Sequence, residues 1–184
     1  MQNEMVVLVD KHNNVVGTMS KATVHGKTTP LHRGFSLFIF NSRGELLMQQ
    51  RALTKKTWPE VWSNSCCGHP AIGESNVQAA LRRSRDELGV VLSTAIEIAP
   101  YRYRFQRDGI EENEICPILV ATTDAPITPN PSEVAAILWK NWDALIEEIR
   151  ATPGKYSGWC EEEVIVLRSN PQFSTWYKKI LNAG

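Results

Sequence analysis

The apolar positions of this chain fall first into short runs with a two-residue period and later into runs with a helical period. Residues 5–9 and 15–19 are β-branched runs on either side of the polar cluster Asp10 to Asn14, which predicts a hairpin. Ser20 is placed to cap a short helical turn that carries Lys21. The breaker-rich segment 25–32 reads as a loop holding His25 and His32, a setting in which histidines are most often solvated. Residues 35–41 are apolar at almost every position and predict a strand buried on both faces. A turn at 41–44 leads into a return strand at 45–51. An aromatic loop, Trp58 to Trp62, comes next, and then a polar turn from Asn64 to Pro70.

The spacing predicts a helix over 76–88. Val77, Leu81, Ser84 and Leu88 share one face, Gly73 to Asn76 offers several caps, and Gly89 is placed as the stop. Residues 100–105 alternate, which puts Tyr101, Tyr103 and Phe105 on one face of a strand. Residues 112–121 read as one continuous strand with Glu112 and Glu114 projecting to the same side. After the proline-rich turn ending at Pro131, a last strand is expected at 133–139, then helices at 142–150, 159–167 and 172–181. The mixture predicts an α+β fold. With no repeat or linker, residues 1–184 are expected to form one domain, a core over about 32–142 with a helical part over about 143–184.

Composition narrows the chemistry. The 20 basic residues balance the 20 acidic ones, so no global field draws nucleic acid or an anionic membrane, and any anion site must be local. No window holds the roughly 20 apolar residues that span a bilayer. The start, Met1-Gln2-Asn3-Glu4, has no basic segment leading into an apolar one, so no signal peptide is expected. The four cysteines, Cys66, Cys67, Cys116 and Cys160, form no CxxC pair and suit reduced thiols in a cytoplasm.

Three groups of residues carry candidate chemistry. Two carboxylates on one strand face are costly when buried, unless a cation lies between them. His25, His32 and His69 supply nitrogen donors to join Glu112 and Glu114, a set suited to Mn²⁺, Mg²⁺ or Zn²⁺. Lys21, Arg51, Lys55 and Arg83 come from four segments flanking these residues. If they converge they suit a small, highly charged anion such as a diphosphate; if not, they are solvated surface charges. Cys67, ahead of the helix, is a candidate reactive thiol whose pKa is expected to fall near a metal or arginine.

The segment from Gly68 to Val90 resembles a Nudix box: Gly68, five residues, Glu74, seven residues, then Arg82-Arg83-Ser84-Arg85-Asp86-Glu87-Leu88-Gly89-Val90. Arg83 stands where Nudix hydrolases carry the first glutamate of their Mg²⁺-binding cluster, Ser84 replaces an aliphatic residue and Asp86 a glutamate; Glu87 is intact. A basic residue there works against a dense Mg²⁺ site and favours direct phosphate binding. Trp58-Pro59-x-x-Trp62-x-Asn64, Cys67-Gly68-His69-Pro70, Gly73-Glu74-Ser75, Arg82-Arg83 with Glu87-Leu88-Gly89, Tyr103, Glu112-Asn113-Glu114 and Ser157-x-Trp159 together resemble the type I isopentenyl-diphosphate Δ-isomerases, over about Lys21 to Trp159.

That resemblance implies an α/β/α sandwich of the Nudix fold with a mixed β-sheet and added C-terminal helices. It implies interconversion of isopentenyl and dimethylallyl diphosphate through a carbocation, in isoprenoid biosynthesis. Cys67 and Glu114 match the two catalytic residues. Tyr103 matches a tyrosine that hydrogen-bonds the catalytic carboxylate, and Trp159 the tryptophan that shields the reacting carbons. His25, His32, His69, Glu112 and Glu114 match metal ligands. Glu87, with the Cys67 main chain, matches the site of a second ion, Mg²⁺, carried on the diphosphate. Lys21, Arg51, Lys55 and Arg83 match diphosphate-binding positions. Cys66 is a local departure, and the turn between Tyr103 and Glu112 differs in length from that of relatives. The expected partner is a small isoprenoid diphosphate, with no nucleic acid and no membrane, the protein being a cytoplasmic monomer or homodimer. The alternatives are a Nudix hydrolase of a nucleoside or isoprenoid diphosphate, and a non-catalytic Nudix binding module. Arg83 speaks against the first; Cys67 with Glu112 and Glu114 speaks against the second.

Overall fold

The computed structural model describes residues 4–183. The signal-peptide reading at Met1 to Asn3 lies outside the described residues. The chain begins with β1 (Met5–Val9) and β2 (Val15–Ser20), the expected hairpin, and the helical turn α1 (Lys21–Val24). The short strand β3 (His32–Arg33) precedes β4 (Phe35–Phe40) and β5 (Glu45–Arg51). Two more short strands, β6 (Trp62–Ser63) and β7 (Cys66–Gly68), lead to α2 (Asn76–Leu88). Then come β8 (Ile96–Ala99), β9 (Arg102–Arg107), β10 (Ile110–Ile115), β11 (Ile118–Thr122) and β12 (Val134–Asn141). Three helices close the chain: α3 (Trp142–Ala151), α4 (Gly158–Ser169) and α5 (Pro171–Ala183).

The strands form two mixed sheets, ordered β2-β1-β3-β10-β9 and β12-β5-β4-β11-β8, with β6 beside β5 and β7 beside β4. The larger sheet divides the core in two. Every residue of β4 is buried, and its side chains alternate between the two sides. Phe35, Leu37 and Ile39 join Ala79, Ala80 and Leu88 of α2, whereas Phe38 and Phe40 meet Trp142, Leu145, Leu167 and Phe173 from the C-terminal helices. Helices on both faces of a mixed sheet make the α/β/α sandwich expected. The last three helices therefore share a core with the sheet. Local chemistry explains the sharpest boundaries. Ser75 and Gln78 complete a capping box on α2, an arrangement contributing about 1 kcal/mol, and Gly89 ends the helix at φ 63°.

Three expectations are corrected. The predicted strand over 112–121 is two strands in different sheets, because the chain crosses over at Cys116-Pro117, where Pro117 has no N–H for a ladder. The polar turn at 64–70 contains a strand: Ser36 and Cys67 face each other in the β4–β7 pairing, which a sequence of small residues did not advertise. The buried face of α2 includes Arg83 and Glu87 as well as Ser84 and Leu88, while Val77 and Leu81 are only half-buried.

One topological feature positions the site. Two neighbouring segments change sheet side by side. The chain passes from β3 to β4 through Gly34, and from β10 to β11 through Cys116-Pro117. Gly34 N–H donates to the Ile115 carbonyl (2.9 Å) and Ser36 N–H to that of Pro117 (3.0 Å). The cavity described next lies at this corner.

Candidate active site

The loop carrying His25 is stitched to β10. Glu111 N–H donates to the Gly26 carbonyl (2.7 Å), Thr29 N–H to Glu111 Oε1 (2.9 Å), and Asn113 Nδ2 to the Thr29 carbonyl (3.0 Å). His32 lies in β3, paired in parallel with Glu114 of β10. These bonds turn both histidines inward, so the solvated-loop reading fails: His25, His32 and His69 are all buried. Their ring centroids are 5.1 to 5.7 Å apart.

His69 Nε2 lies 3.0 Å, and His32 Nε2 3.2 Å, from Glu114 Oε1, while His25 Nε2 lies 2.9 Å from Glu112 Oε2. His32 Nδ1 sits 2.9 Å from the Pro30 carbonyl, which fixes that nitrogen as the protonated one and turns Nε2 inward. His25 Nε2, His32 Nε2 and Glu112 Oε2 are buried without a hydrogen-bond partner. One ligand atom from each of His25, His32, His69 and Glu114 lies within 4.8 Å of all the others. Buried orphaned donors of this type and spacing fit a divalent cation, so this His/Glu group can hold a metal. Glu112 stands beside that group, through His25.

Electrostatics follow from burial and pairing. Burial opposes ionisation of Glu114, but the His69 and His32 imidazoles outweigh it and hold the carboxyl well below the usual range. Burial lowers His69, whereas His32, despite burial, is raised by the neighbouring Glu114 carboxylate. Glu114 also sits across the β9–β10 ladder from Tyr103.

Cys67 reverses an expectation. Burial pushes its thiol up to about 12, and bonds to Ser36 and Asn64 and the charge of Arg51 do not offset this. Its Sγ lies 3.3 Å from Asn64 Oδ1 and 3.5 Å from Ser36 Oγ. The same Asn64 oxygen accepts from Trp159 Nε1 (3.2 Å). Trp159 is buried, stacked on Tyr103 (5.8 Å, 21°) and edge-on to Trp58 (5.3 Å). Trp58 adopts φ 45°, costly for a bulky residue, and Arg51 steadies that turn by donating from Nε to the Thr57 and Trp58 carbonyls, both at 3.1 Å. The Arg51 guanidinium carbon is 5.8 Å from the Trp159 ring centroid.

A cavity of about 520 Å³ joins these groups. Cys67, Tyr103, Glu114 and Trp159 lie on its wall with His25, His69 and Glu112, and Lys21, Arg51 and Lys55 also line it. Arg83 and Glu87 do not. They form a buried ion pair behind the wall, and Arg83 reaches Glu133 at 3.6 Å. Lys21 pairs with Glu4 (2.9 Å) and Lys55 with Glu133. Glu4, Glu133 and Lys56 are wall residues that sequence reasoning missed, since nothing local distinguishes them from surface charge. Gly34, packed against Glu114, was missed too.

The NUDIX domain family matches residues 30–160. An isopentenyl-diphosphate Delta-isomerase of Saccharopolyspora erythraea is 43% identical over 173 residues, 91% of this chain and 89% of that protein. Enzymes of the same name from Escherichia coli O127:H6 and Brevibacterium linens are each 44% identical, covering 86% and 90% of this chain and 88% and 92% of their own. The fold is similar to that of the Deinococcus radiodurans protein DR0079 (TM-score 0.72, 24% identity, 89% of this chain and 98% of that one). It is also similar to a MutT protein of Methanosarcina mazei (TM-score 0.62, 18% identity, 81% and 96%). With a half-buried thiol, a carboxylate and a histidine cluster around one cavity of the Nudix fold, the chain belongs to the isopentenyl-diphosphate Delta-isomerase family of the Nudix superfamily.

Proposed function

We propose that the cavity interconverts isopentenyl and dimethylallyl diphosphate by adding a proton to one carbon of the alkene and removing another from a neighbouring carbon. The observation carrying this reading is that a thiol, Cys67, and a carboxylate, Glu114, line the same cavity. A double-bond shift needs one proton donor and one acceptor, and these supply both. An unactivated alkene is a weak base, so the intermediate is a tertiary carbocation. Trp159 offers it a π face, worth about 2 kcal/mol when desolvated, and with Tyr103 and Trp58 keeps out the water that would trap it as an alcohol. Tyr103 steadies Glu114 from the adjacent strand.

Lys21, Arg51 and Lys55 bind the diphosphate at the polar end of the cavity. Arg83 acts from behind through Glu133, and Glu87, freed from Arg83, is the residue to meet Mg²⁺ arriving on the diphosphate, beside the Cys67 main chain. Mn²⁺, Mg²⁺ or Zn²⁺ suits the histidine site, with Glu112 and Glu114 as its carboxylates. A cation held there favours the Glu114 anion and makes its acid form a stronger donor. Residues 1–184 act as one unit, which the core shared by sheet and C-terminal helices supports. No helix among the described residues is long and apolar enough to cross a membrane, which agrees with cytoplasmic work on a soluble diphosphate.

Incubation with isopentenyl diphosphate, Mg²⁺ and deuterated water tests the reading. Deuterium in the dimethylallyl product supports isomerisation. Release of inorganic phosphate without isomerised product would instead support the hydrolase alternative.

A further inference from the structure

Two carboxylates, Glu4 and Glu133, line the polar end of the cavity beside Lys21 and Lys55. Acidic groups are out of place on a wall that must attract an anion, because like charges repel there. Yet both are ionised. Burial opposes the charge on each, but Lys21 beside Glu4 and Lys55 beside Glu133 outweigh it, Arg83 adds to both, and the two carboxyls lie below the usual range.

The backbone fixes both pairs. Lys21 N–H donates to the Glu4 carbonyl (2.8 Å), and Lys21 Nζ lies 2.9 Å from Glu4 Oε2. Ala52 N–H donates to the Glu133 carbonyl (3.0 Å) and Thr54 Oγ1 to that of Ser132 (3.1 Å). The loop carrying Lys55 is thus fastened to the segment carrying Glu133, and the Lys55 ammonium pairs with Glu133 Oε2. Glu133 Oε1 faces the Arg83 guanidinium at 3.6 Å, so Arg83 retains Glu133 even when Lys55 turns away. Two other cations of the wall are engaged differently. Arg51 donates to the Thr57 and Trp58 carbonyls, and Lys56 to those of Ala22 (3.1 Å) and His25 (2.9 Å). Neutral oxygens leave the charges of Arg51 and Lys56 in force, whereas Glu4 and Glu133 cancel those of Lys21 and Lys55.

A phosphate oxygen therefore reaches Lys21 or Lys55 by replacing a carboxylate oxygen. Two carboxylates on two lysines match the two linked phosphoryl groups of a diphosphate. Once one group has displaced its carboxylate, the linkage presents the other to the second lysine at high effective concentration; a lone phosphate lacks that advantage.

We infer that Glu4 and Glu133 are specificity-determining counter-ions: they hold Lys21 and Lys55 in ion pairs that a diphosphate displaces together and a single phosphate does not. This rests on the reading of Lys21 and Lys55 as diphosphate-binding residues. The test is calorimetric titration of inorganic diphosphate, and separately of orthophosphate, into metal-loaded protein, with metal content verified by elemental analysis. Wild type is compared with Glu4→Gln, Glu133→Gln, the double variant, Lys21→Ala and Lys55→Ala, and Tm is recorded for each. Each glutamine variant binds inorganic diphosphate about fivefold more tightly, the scale of a half-exposed ion pair, and the double variant more tightly than either. Orthophosphate gains about tenfold or more in the double variant, where both lysines are open to it. A merely structural role predicts the opposite sign, weaker binding with a lower Tm. Glu4→Ala and Glu133→Ala, which remove the same charges, repeat the test should a glutamine variant fold poorly.

The inference fails if either single variant binds inorganic diphosphate no more tightly than wild type, or if orthophosphate gains nothing in the double variant. The lysine variants separate the two levels. If both bind diphosphate as wild type does, the reading of the polar end fails and takes this inference with it. If they bind it more weakly while the glutamine variants gain nothing, only the inference fails.

Discussion

Gly34 and Glu114 meet where two segments of the chain change sheet, and a Cβ added at Gly34 would stand 1.9 Å from Glu114 Oε2. The carboxylate thus occupies the space that any other residue at position 34 would fill. Gly34→Ala must displace Glu114 or the backbone beneath it. Displacements near an ångström commonly cost about a hundredfold in rate, so kcat should fall about that far, with weaker metal binding. Steady-state kinetics and metal titration check both, and an alanine variant with wild-type kcat would remove Glu114 from the chemistry.

Cys67→Ala and Glu114→Gln should each abolish isomerisation while circular dichroism stays native. Neither change leaves a new charge behind: one shortens a side chain at the cavity wall and the other is isosteric. Full activity in either variant sinks the proposed donor and acceptor pair.

Removing bound metal by chelation should stop turnover and lower Tm. The orphaned nitrogens of His25 and His32 and the oxygen of Glu112 are buried without bonds, and a cation that satisfies them binds the folded state preferentially. An unchanged rate after metal loss, verified by elemental analysis, rules the site out as essential.

Arg83→Ala should lower stability by about 3 kcal/mol, because it strands the buried Glu87 carboxylate. Replacing both Arg83 and Glu87 by leucine should restore most of the loss. Denaturant melts decide between this and a solvated surface role, in which Arg83→Ala would change stability by less than about 0.5 kcal/mol.

Glu148 binds Lys140, Lys155 and the Tyr156 hydroxyl, the last at 2.8 Å, and these bonds take its carboxyl from the usual 4.5 to about 2. The folded-state value lies below the unfolded one. The pairing therefore stabilises the fold fully above about pH 4.5 and fades as pH falls toward about 2. Glu148→Gln should melt below wild type at neutral pH, and the gap should close across that window. A gap that ignores pH would show that ionisation of Glu148 is not its source.

Much of the architecture was legible in the sequence because it depends on near neighbours. The residues that stop and cap α2 lie within one turn of its ends, and β5 follows from a turn and an apolar run. The motif residues were legible too: Cys67, His69, Tyr103, Glu112 and Glu114 were all singled out and all line one cavity. What tertiary structure decided depends on segments far apart in the chain. The bonds turning His25 and His32 inward join residues 82 and 84 positions apart. The split of 112–121 depends on which sheet each half finds, and the strand at Cys66 exists because β4 pairs with it. Burial, a property of the whole fold, raised the Cys67 thiol where local charges suggested lowering it. It also turned Arg83 and Glu87 into a closed pair behind the wall and left the buried Glu163 carboxyl without a hydrogen-bond partner. Sequence alone determined which groups could do the chemistry; the fold decided which of them face the cavity and in what protonation state, because desolvation and long-range pairing have no local signature.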